Sequence, residues 1–568
     1  MTDSTAPETV ADRIVAALKR HGVECFFGQS LPSKLVLACE AAGIRQISYR
    51  QENMGGAMAD AYARVSGKIG MVVGQNGPAA TLLVPPMAEA KQAGIPMIAF
   101  VQEVETPTID RNAFQELDHM ALFHGVCKFV RKIDDPTRVD DYIDMALTAA
   151  NTGKPGPVAL LLPADVLRGP AGEPPFPRAA SLGHFPLDRP CASQAAVAEA
   201  ARLIAEAKAP IVIAGGGVHV SGATQALAGF MDTAHIPVFT TNMGKGAVDE
   251  TNALAGGVQG ALNGPNSLAR HTQPLLDEAD VVLLIGTRTN QNGTDNWKIY
   301  PKGARFIHLD IDPMEIGRTY EALRLQGDAR ETLAALTRAL ADLDLSARKA
   351  ARPAVEQRLT EAWAAFEVDR APLTGSNESP IRPERVMAEL QPLLTPDTIV
   401  VADASYSSMW IVGQLKAQQA GQRIIAPRGL AGLGWGMPMG LGAAVARPGA
   451  PVIALVGDGG FAHSWAELET AVRMNIPLIT IVLNNGILGF QKHAETVKFG
   501  EWTSAVHFDS VDHAAVARAC GVQATRVDAV GDIGPALQEA LASGQPRLIE
   551  VITTPEAYPA LSLFANGV

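Results

Sequence analysis

The chain reads as an α/β protein built from three open, mostly parallel sheets, and three observations lead there. Short apolar runs rich in Val, Ile and Leu recur along its 568 residues. Stretches with helical spacing and glycine turns separate them, as expected for strands buried on both faces. Pro-rich or charged joins sort the runs into three groups, and the length exceeds what one hydrophobic core serves.

In chain order, the first block spans 1–168. It opens with helical spacing over 9–21, a strand-like stretch at 24–27 and a second helix beginning near Glu52. Residues 169–190, GPAGEPPFPRAASLGHFPLDRP, read as a linker. The second block, 191–345, carries strands in IVIAGGG, IPVFTT, VVLLIG and RFIHLDID. Its Gly215-Gly216-Gly217 follows a strand, as a nucleotide loop would, yet the glycine spacing matches a dinucleotide fingerprint poorly. A charged helical stretch over 346–370 leads to the third block, 376–568, with parallel strands at 398–402, 452–456, 478–483 and 547–553.

Composition narrows the function classes. A net charge of −12 excludes sequence-independent nucleic-acid binding, which needs clustered Lys and Arg. The five cysteines, Cys25, Cys39, Cys127, Cys191 and Cys520, form no CxxC pair and read as reduced, buried thiols of a cytoplasmic protein. The start, MTDSTAPETVADRIVAALKR, lacks the basic end and apolar core of a signal peptide. The apolar stretch 429–445 is short, glycine-rich and interrupted by Pro438, so it reads as a packed turn and helix, not a membrane span.

The most informative stretch is 451–489, PVIALVGDGGFAHSWAELETAVRMNIPLITIVLNNGILG. It reads as strand, glycine turn, helix, strand. Ser464 and Glu467 have capping-box spacing, which predicts a helix starting near Trp465 and stopping before Pro477. A right-handed crossover between neighbouring strands brings Asp458 and Asn485 out side by side at the carboxyl edge of the sheet, where open parallel sheets bind ligands. Two hard oxygen ligands beside glycine turns suit Mg²⁺ carrying a diphosphate.

Gly457-Asp458-Gly459 with Asn484-Asn485 resembles the thiamine-diphosphate motif. A second segment, 48–70 (SYRQENMGGAMADAYARVSGKIG), resembles the R-H-E-x-G-A-A-x-x-A-x-G-Y-A-R stretch of the same family. Glu52 stands at its carboxylate and Gln51 replaces its histidine. Residues 75–81 (QNGPAAT) are similar to S-G-P-G-A-T-N, and 153–166 to G-R-P-G-P-V-x-x-x-x-P-x-D-V. Residues 112–128 are similar to the D-A-F-Q-E segment of acetolactate synthase catalytic (large) subunits, the nearest group within the family.

The resemblance implies a pyrimidine-binding, a central and a diphosphate-binding domain. It implies thiamine diphosphate held through Mg²⁺ by Asp458, the Asn485 side chain and the Ile487 carbonyl. Ser405, Tyr406 and Ser407 would donate to the diphosphate, with Gly457, Gly459, Gly460 and Leu488 around it and Asn76 and Pro78 on a facing loop. Leu433 would wedge between the two rings. Glu52 would stabilise the imino tautomer of the pyrimidine, whose nitrogen then takes the thiazolium proton. Gln115 and His463 are the further catalytic candidates, ahead of His119, His124 and His493; Phe114 and Lys128 also match the family. GGGVHVSGA, 285–288 and HLDID fall where flavin lies in acetolactate synthases, so FAD is an expectation for the central block, with ADP or plain structure as alternatives. In this family two blocks from different subunits clasp one cofactor, which implies a homodimer at minimum and a homotetramer by extension.

Three departures bear on the substrate. The family loop G-Y-P-G-G-A is here Gly28-Gln29-Ser30-Leu31-Pro32-Ser33. The family's A-R-F-D-D-R keeps Arg288, but its second arginine, which holds the acceptor's carboxylate, aligns with Asn292. An amide cannot replace a bidentate cation there. A family tryptophan aligns near Ala494. The expected function is a carboligase or decarboxylase acting on a small 2-oxo acid. The alternatives are a non-decarboxylating carbon–carbon lyase or hydrolase (2-hydroxyacyl-CoA lyase-like or dione hydrolase-like) and a catalytically inactive regulatory protein that binds the cofactor.

Overall fold

A computed structural model describes residues 8–568; the first seven residues, where the N-terminal stretch begins, lie outside the described residues. Three six-stranded sheets follow one another along the chain, and their strands pair in parallel. The first comprises β1 (Cys25–Phe27), β2 (Arg45–Ile47), β3 (Gly70–Gly74), β4 (Met97–Glu103), β5 (Phe129–Lys132) and β6 (Pro157–Pro163), in the order β2-β1-β3-β4-β6-β5. The second comprises β7 (Pro210–Ala214), β8 (Val238–Thr240), β9 (Ala255–Val258), β10 (Val281–Ile285), β11 (Arg305–Asp310) and β12 (Ala322–Gln326), in the order β12-β11-β10-β7-β8-β9. The third comprises β13 (Ile399–Ala402), β14 (Ile424–Ile425), β15 (Val452–Gly457), β16 (Leu478–Asn484), β17 (Gln523–Val527) and β18 (Arg547–Ile552), in the order β14-β13-β15-β16-β18-β17. First and third sheets therefore share one strand order.

The α/β expectation holds because the central strands are apolar throughout. β6 and β10, for example, bury every residue. Such strands need helices on both faces. The helices read from sequence occur as Val10–Arg20, capped by Thr9, and Ser346–Thr374. The stretch around Pro438 is the buried helix Gly436–Ala446. No described helix is long and apolar enough to cross a membrane.

A pair of helices packs the first and third sheets together. The helices Glu52–Ser66 and Gly436–Ala446 pack against each other, and Met54, Ala57 and Met58 share a core with Met437, Met439 and Leu441. Both helices are rich in small residues because the backbones approach closely. A Cβ on Gly442 would lie 2.0 Å from the Met58 carbonyl oxygen. The second sheet keeps a core of its own, around Val212, Leu283 and Leu333.

Two sequence expectations need correction. The helix after β15 spans Glu467–Arg473, within two residues of the expected start and ending before Pro477, with a separate turn at Asp458–Phe461, but its expected cap is absent. Ser464 makes no capping box, because its hydroxyl donates to the Phe461 carbonyl and the Glu467 carboxylate is turned to another block. The thiols are not all buried either. Cys25, Cys39 and Cys127 are, but Cys191 is exposed where the Pro-rich linker ends, and Cys520 is only half-buried.

Candidate active site

In the third sheet β13 runs on to β14 on one side while β15 lies on the other. The loops that leave the carboxyl ends of β13 and β15 therefore diverge and open a crevice at this switch point. A cavity of about 820 Å³ occupies it. That is within the roughly 300–1,000 Å³ of small-molecule sites. Ser405, Tyr406, Ser407, Leu433, Gly457, Asp458, Gly459, Gly460, Asn485, Ile487 and Leu488 all line it. Every site residue read from the third block is thus present except His463.

The parallel pairing explains the convergence. Gly457 registers with Leu483 across β15 and β16, so Asp458 and Asn485 leave adjacent strand ends almost together. Gly486 N–H donates to the Asp458 carboxylate at 2.9 Å, and Ile487 N–H to the Asn485 carboxamide oxygen at 3.2 Å. Burial pushes the Asp458 carboxyl up to about 6, and backbone N–H groups are what oppose that rise. A buried carboxyl held only by amides, beside a carboxamide oxygen, is a hard-oxygen donor set that fits Mg²⁺. Ser405 holds φ at +62°, a conformation that costs a serine about 1–3 kcal/mol and that gathers at ligand sites. The Tyr406 hydroxyl bonds His493 Nδ1 at 2.9 Å, and burial pushes the phenol up and the imidazole down. His493 is therefore a buried partner of Tyr406.

The residues from the first block stand elsewhere in the chain. No described residue before Ala261 lines the large cavity. Glu52, half-buried, is the first residue of its helix. Asn76 donates to the Phe114 and Gln115 carbonyls, both at 3.1 Å, and Gln115 lines a separate cavity of about 650 Å³. Pro78 is exposed at the start of the helix Pro78–Ala93. His463 is exposed, against Gly434 and next to Leu433. His124 is exposed too. His119 is buried: Gly77 N–H donates to its Nε2 at 2.9 Å, which leaves Nδ1–H to donate to Glu103 at 2.7 Å. Lys128 is spent on the Thr152 and Lys154 carbonyls. Phe114 is 82% exposed.

Three buried carboxylates hold these parts in place, two of them passed over in the sequence and the third, Glu467, read there only as a local helix cap. Glu467 accepts N–H bonds from Arg50 (3.0 Å) and Gln51 (3.0 Å), so it caps the helix that Glu52 opens. Glu89 accepts from Gly429, Leu430 and Ala431, fixing the loop that leads to Leu433. Asp403, just past β13, accepts from Gly434, Trp435 and Gly436 at the start of the next helix. Asp403 could have been found as an acid at a strand end, and Glu467 was noticed for its spacing to Ser464.

In the second block, a cavity of about 160 Å³ lies at the carboxyl edge of its sheet, lined by Gly216, Gly217, Gly286, Arg288, Asp310 and Asp328 among others. The glycines are explained without a ligand. A Cβ on Gly215 would fall 2.3 Å from the Gly286 carbonyl oxygen, and one on Gly217 would fall 2.7 Å from the Gly286 Cα. Two loops cross there in backbone contact.

Comparison with known proteins agrees with this layout. Residues 8–122 match the N-terminal TPP-binding domain of thiamine pyrophosphate enzymes, residues 197–336 their central domain and residues 403–551 their C-terminal TPP-binding domain. The chain is 32% identical to the probable acetolactate synthase large subunit of Methanocaldococcus jannaschii, over 97% of this chain and 93% of that protein. It is 32% identical to the acetolactate synthase large subunit of Parasynechococcus marenigrum, over 97% and 88% respectively. It is also 29% identical to the sulfoacetaldehyde acetyltransferase of Castellaniella defragrans, over 94% and 90%.

Proposed function

The chain belongs to the thiamine pyrophosphate enzymes and is acetolactate synthase-like along nearly its whole length, and from that membership we propose a Mg²⁺-dependent enzyme that makes or breaks a carbon–carbon bond in a small 2-oxo acid. The observation that carries the proposal is the convergence of eleven third-block positions on one cavity, with Asp458 and Asn485 at neighbouring strand ends. Thiamine diphosphate, when bound, supplies a nucleophilic carbon that adds to a carbonyl.

The chain's own groups do the rest. Asp458, Asn485 and the Ile487 carbonyl would hold Mg²⁺, the hydroxyls of Ser405 and Ser407 would donate to phosphate oxygens, and Tyr406, its hydroxyl bonded to His493, stands beside them on the cavity wall. Leu433, 38% exposed on the cavity wall, supplies the apolar wedge. Glu52 holds a proton at the pyrimidine ring. Because no described first-block residue reaches the cavity within one chain, Glu52, Gln115, Asn76 and Pro78 act from a second copy. The exposed apolar side chains Phe114, Leu117, Leu430, Phe490, Phe499 and Phe508 support a homodimer, and a homotetramer extends it. FAD or ADP in the second block is the weaker part of the reading, since about 160 Å³ falls short of the usual range for such ligands. We place the enzyme in the cytoplasm on the strength of its free thiols.

A second reading, without decarboxylation, is favoured by Asn292, which lines the cavity where the family carries an arginine. Carbon dioxide release from a panel of 2-oxo acids separates the two. Turnover that Glu52→Gln abolishes excludes the inactive reading, and saturable calorimetric binding of thiamine diphosphate and Mg²⁺ without turnover supports it.

A further inference from the structure

Asn292 and Arg428 line both the 820 Å³ cavity and the 160 Å³ cavity beside it. Arg428 lies three residues beyond β14, and its backbone is pinned from two sides. The Glu89 carboxylate accepts N–H bonds from Gly429 at 2.6 Å and Ala431 at 3.2 Å, and Arg288 Nη2 donates to the Arg428 carbonyl at 3.3 Å. Among the described residues its side chain has no acidic partner. Nη2 donates to the Ser408 hydroxyl and meets Met409 Sδ at 3.3 Å, and buried Nε has no hydrogen-bond partner among the described residues. The acid that most affects it, Glu89, is committed to three amides and to Arg64 at 3.3 Å.

A buried guanidinium without a counter-ion is costly unless something else supplies the negative charge. Burial pushes this one down to about 10, so it stays charged at neutral pH. Its planar fork matches a carboxylate or sulfonate through two parallel N–H bonds. Lys498, the other cation on the cavity wall, is exposed at the mouth.

We propose that Arg428 is the receptor for the substrate's anionic group, supplying from the β14 loop the recognition that Asn292 cannot give, so that the substrate carries a carboxylate or sulfonate. The proposal rests on the functional reading above. It predicts discrimination by charge: a carboxylate-bearing ligand binds and its uncharged amide does not.

The test uses the complete enzyme loaded with thiamine diphosphate and Mg²⁺. Oxamate, an unreactive mimic of a 2-oxo acid, and uncharged oxamide are titrated by calorimetry. The unaltered protein should bind oxamate at least about tenfold more tightly than oxamide. Arg428→Gln should remove that preference while the affinity for thiamine diphosphate holds, and adding Asn292→Arg to it should restore oxamate binding. Three results overturn the proposal: no preference for oxamate in the unaltered protein, undiminished oxamate binding in Arg428→Gln, or a loss confined to thiamine diphosphate or to ADP. The last would assign Arg428 to a phosphate in one cavity or the other. If Arg428→Gln fails to fold, phenylglyoxal labelling of the unaltered enzyme decides. Oxamate and not oxamide should shield Arg428, and equal labelling overturns the proposal. Failure of the unaltered protein to bind thiamine diphosphate sinks the functional reading and the proposal together, which distinguishes that result from the others.

Discussion

Replacing Glu467 by Ala should loosen the first turn of the Glu52 helix while leaving the cavity around Asp458 intact. The Glu467 carboxylate is fully buried and accepts from Arg50 N–H (3.0 and 3.2 Å), Gln51 N–H (3.0 Å) and the Thr470 hydroxyl (2.7 Å). Losing the cap costs about 0.5–2 kcal/mol. Leaving the buried Thr470 hydroxyl unpaired costs about 1–3 kcal/mol more. Part of this is returned, because burial raises the carboxyl's pKa and thus disfavours the charged form. A net local loss of about 1–3 kcal/mol corresponds to roughly five- to 150-fold faster amide exchange over 50–55. Hydrogen exchange read by mass spectrometry on a peptide spanning 48–60 measures it. Glu467→Gln keeps one acceptor for the two amides and should recover part of the protection. The sign of the pH effect follows from the raised pKa. The contribution of the buried group is fully present below its unfolded value and is lost as pH rises through the folded one, and the Gln variant should lack that dependence. If Glu52 is the group the cap positions, turnover should fall in the Ala variant with little change in KM. Unchanged exchange over 48–60 in Glu467→Ala, with losses elsewhere, would refute the capping role.

Three further outcomes are expected. Asp458→Asn should abolish the Mg²⁺ dependence of thiamine diphosphate binding, read by titration with and without the metal, because a neutral amide replaces the charged ligand. Gly442→Ala should destabilise by about 1–3 kcal/mol or more in denaturant titration, since its Cβ meets the Met58 carbonyl at 2.0 Å and two packed helices must separate. Asp310 is pushed up to about 7, chiefly by burial, so the stability it contributes is present below about 4 and lost as pH rises through about 7; melting temperatures between about pH 4 and 7 should slope less in Asp310→Asn.

Much of this protein is legible in its sequence, for a physical reason. Apolar runs and turn glycines report local geometry, and in a parallel sheet local geometry places strand ends. From G-D-G and N-N alone it followed that Asp458 and Asn485 would meet, and they do because β15 and β16 are neighbours in register. The helix after that turn forms without the expected capping box, because Glu467 has cap spacing to Ser464 but binds a segment 417 residues away instead.

Tertiary structure decided what depends on such distant partners. The docking of Glu52–Ser66 on Gly436–Ala446 brings Glu467 to Arg50 and Glu89 to Gly429. No spacing rule encodes these bonds, since they form only when two separately folded layers meet at one angle. The same docking leaves Glu52 outside the cavity of its own chain and leaves Arg428 inside it without an acid. Chain chemistry thus specified which groups are present at each strand end, and packing between layers settled which of them face one another, because hydrogen bonds and ion pairs act only over a few ångströms whatever the separation in sequence.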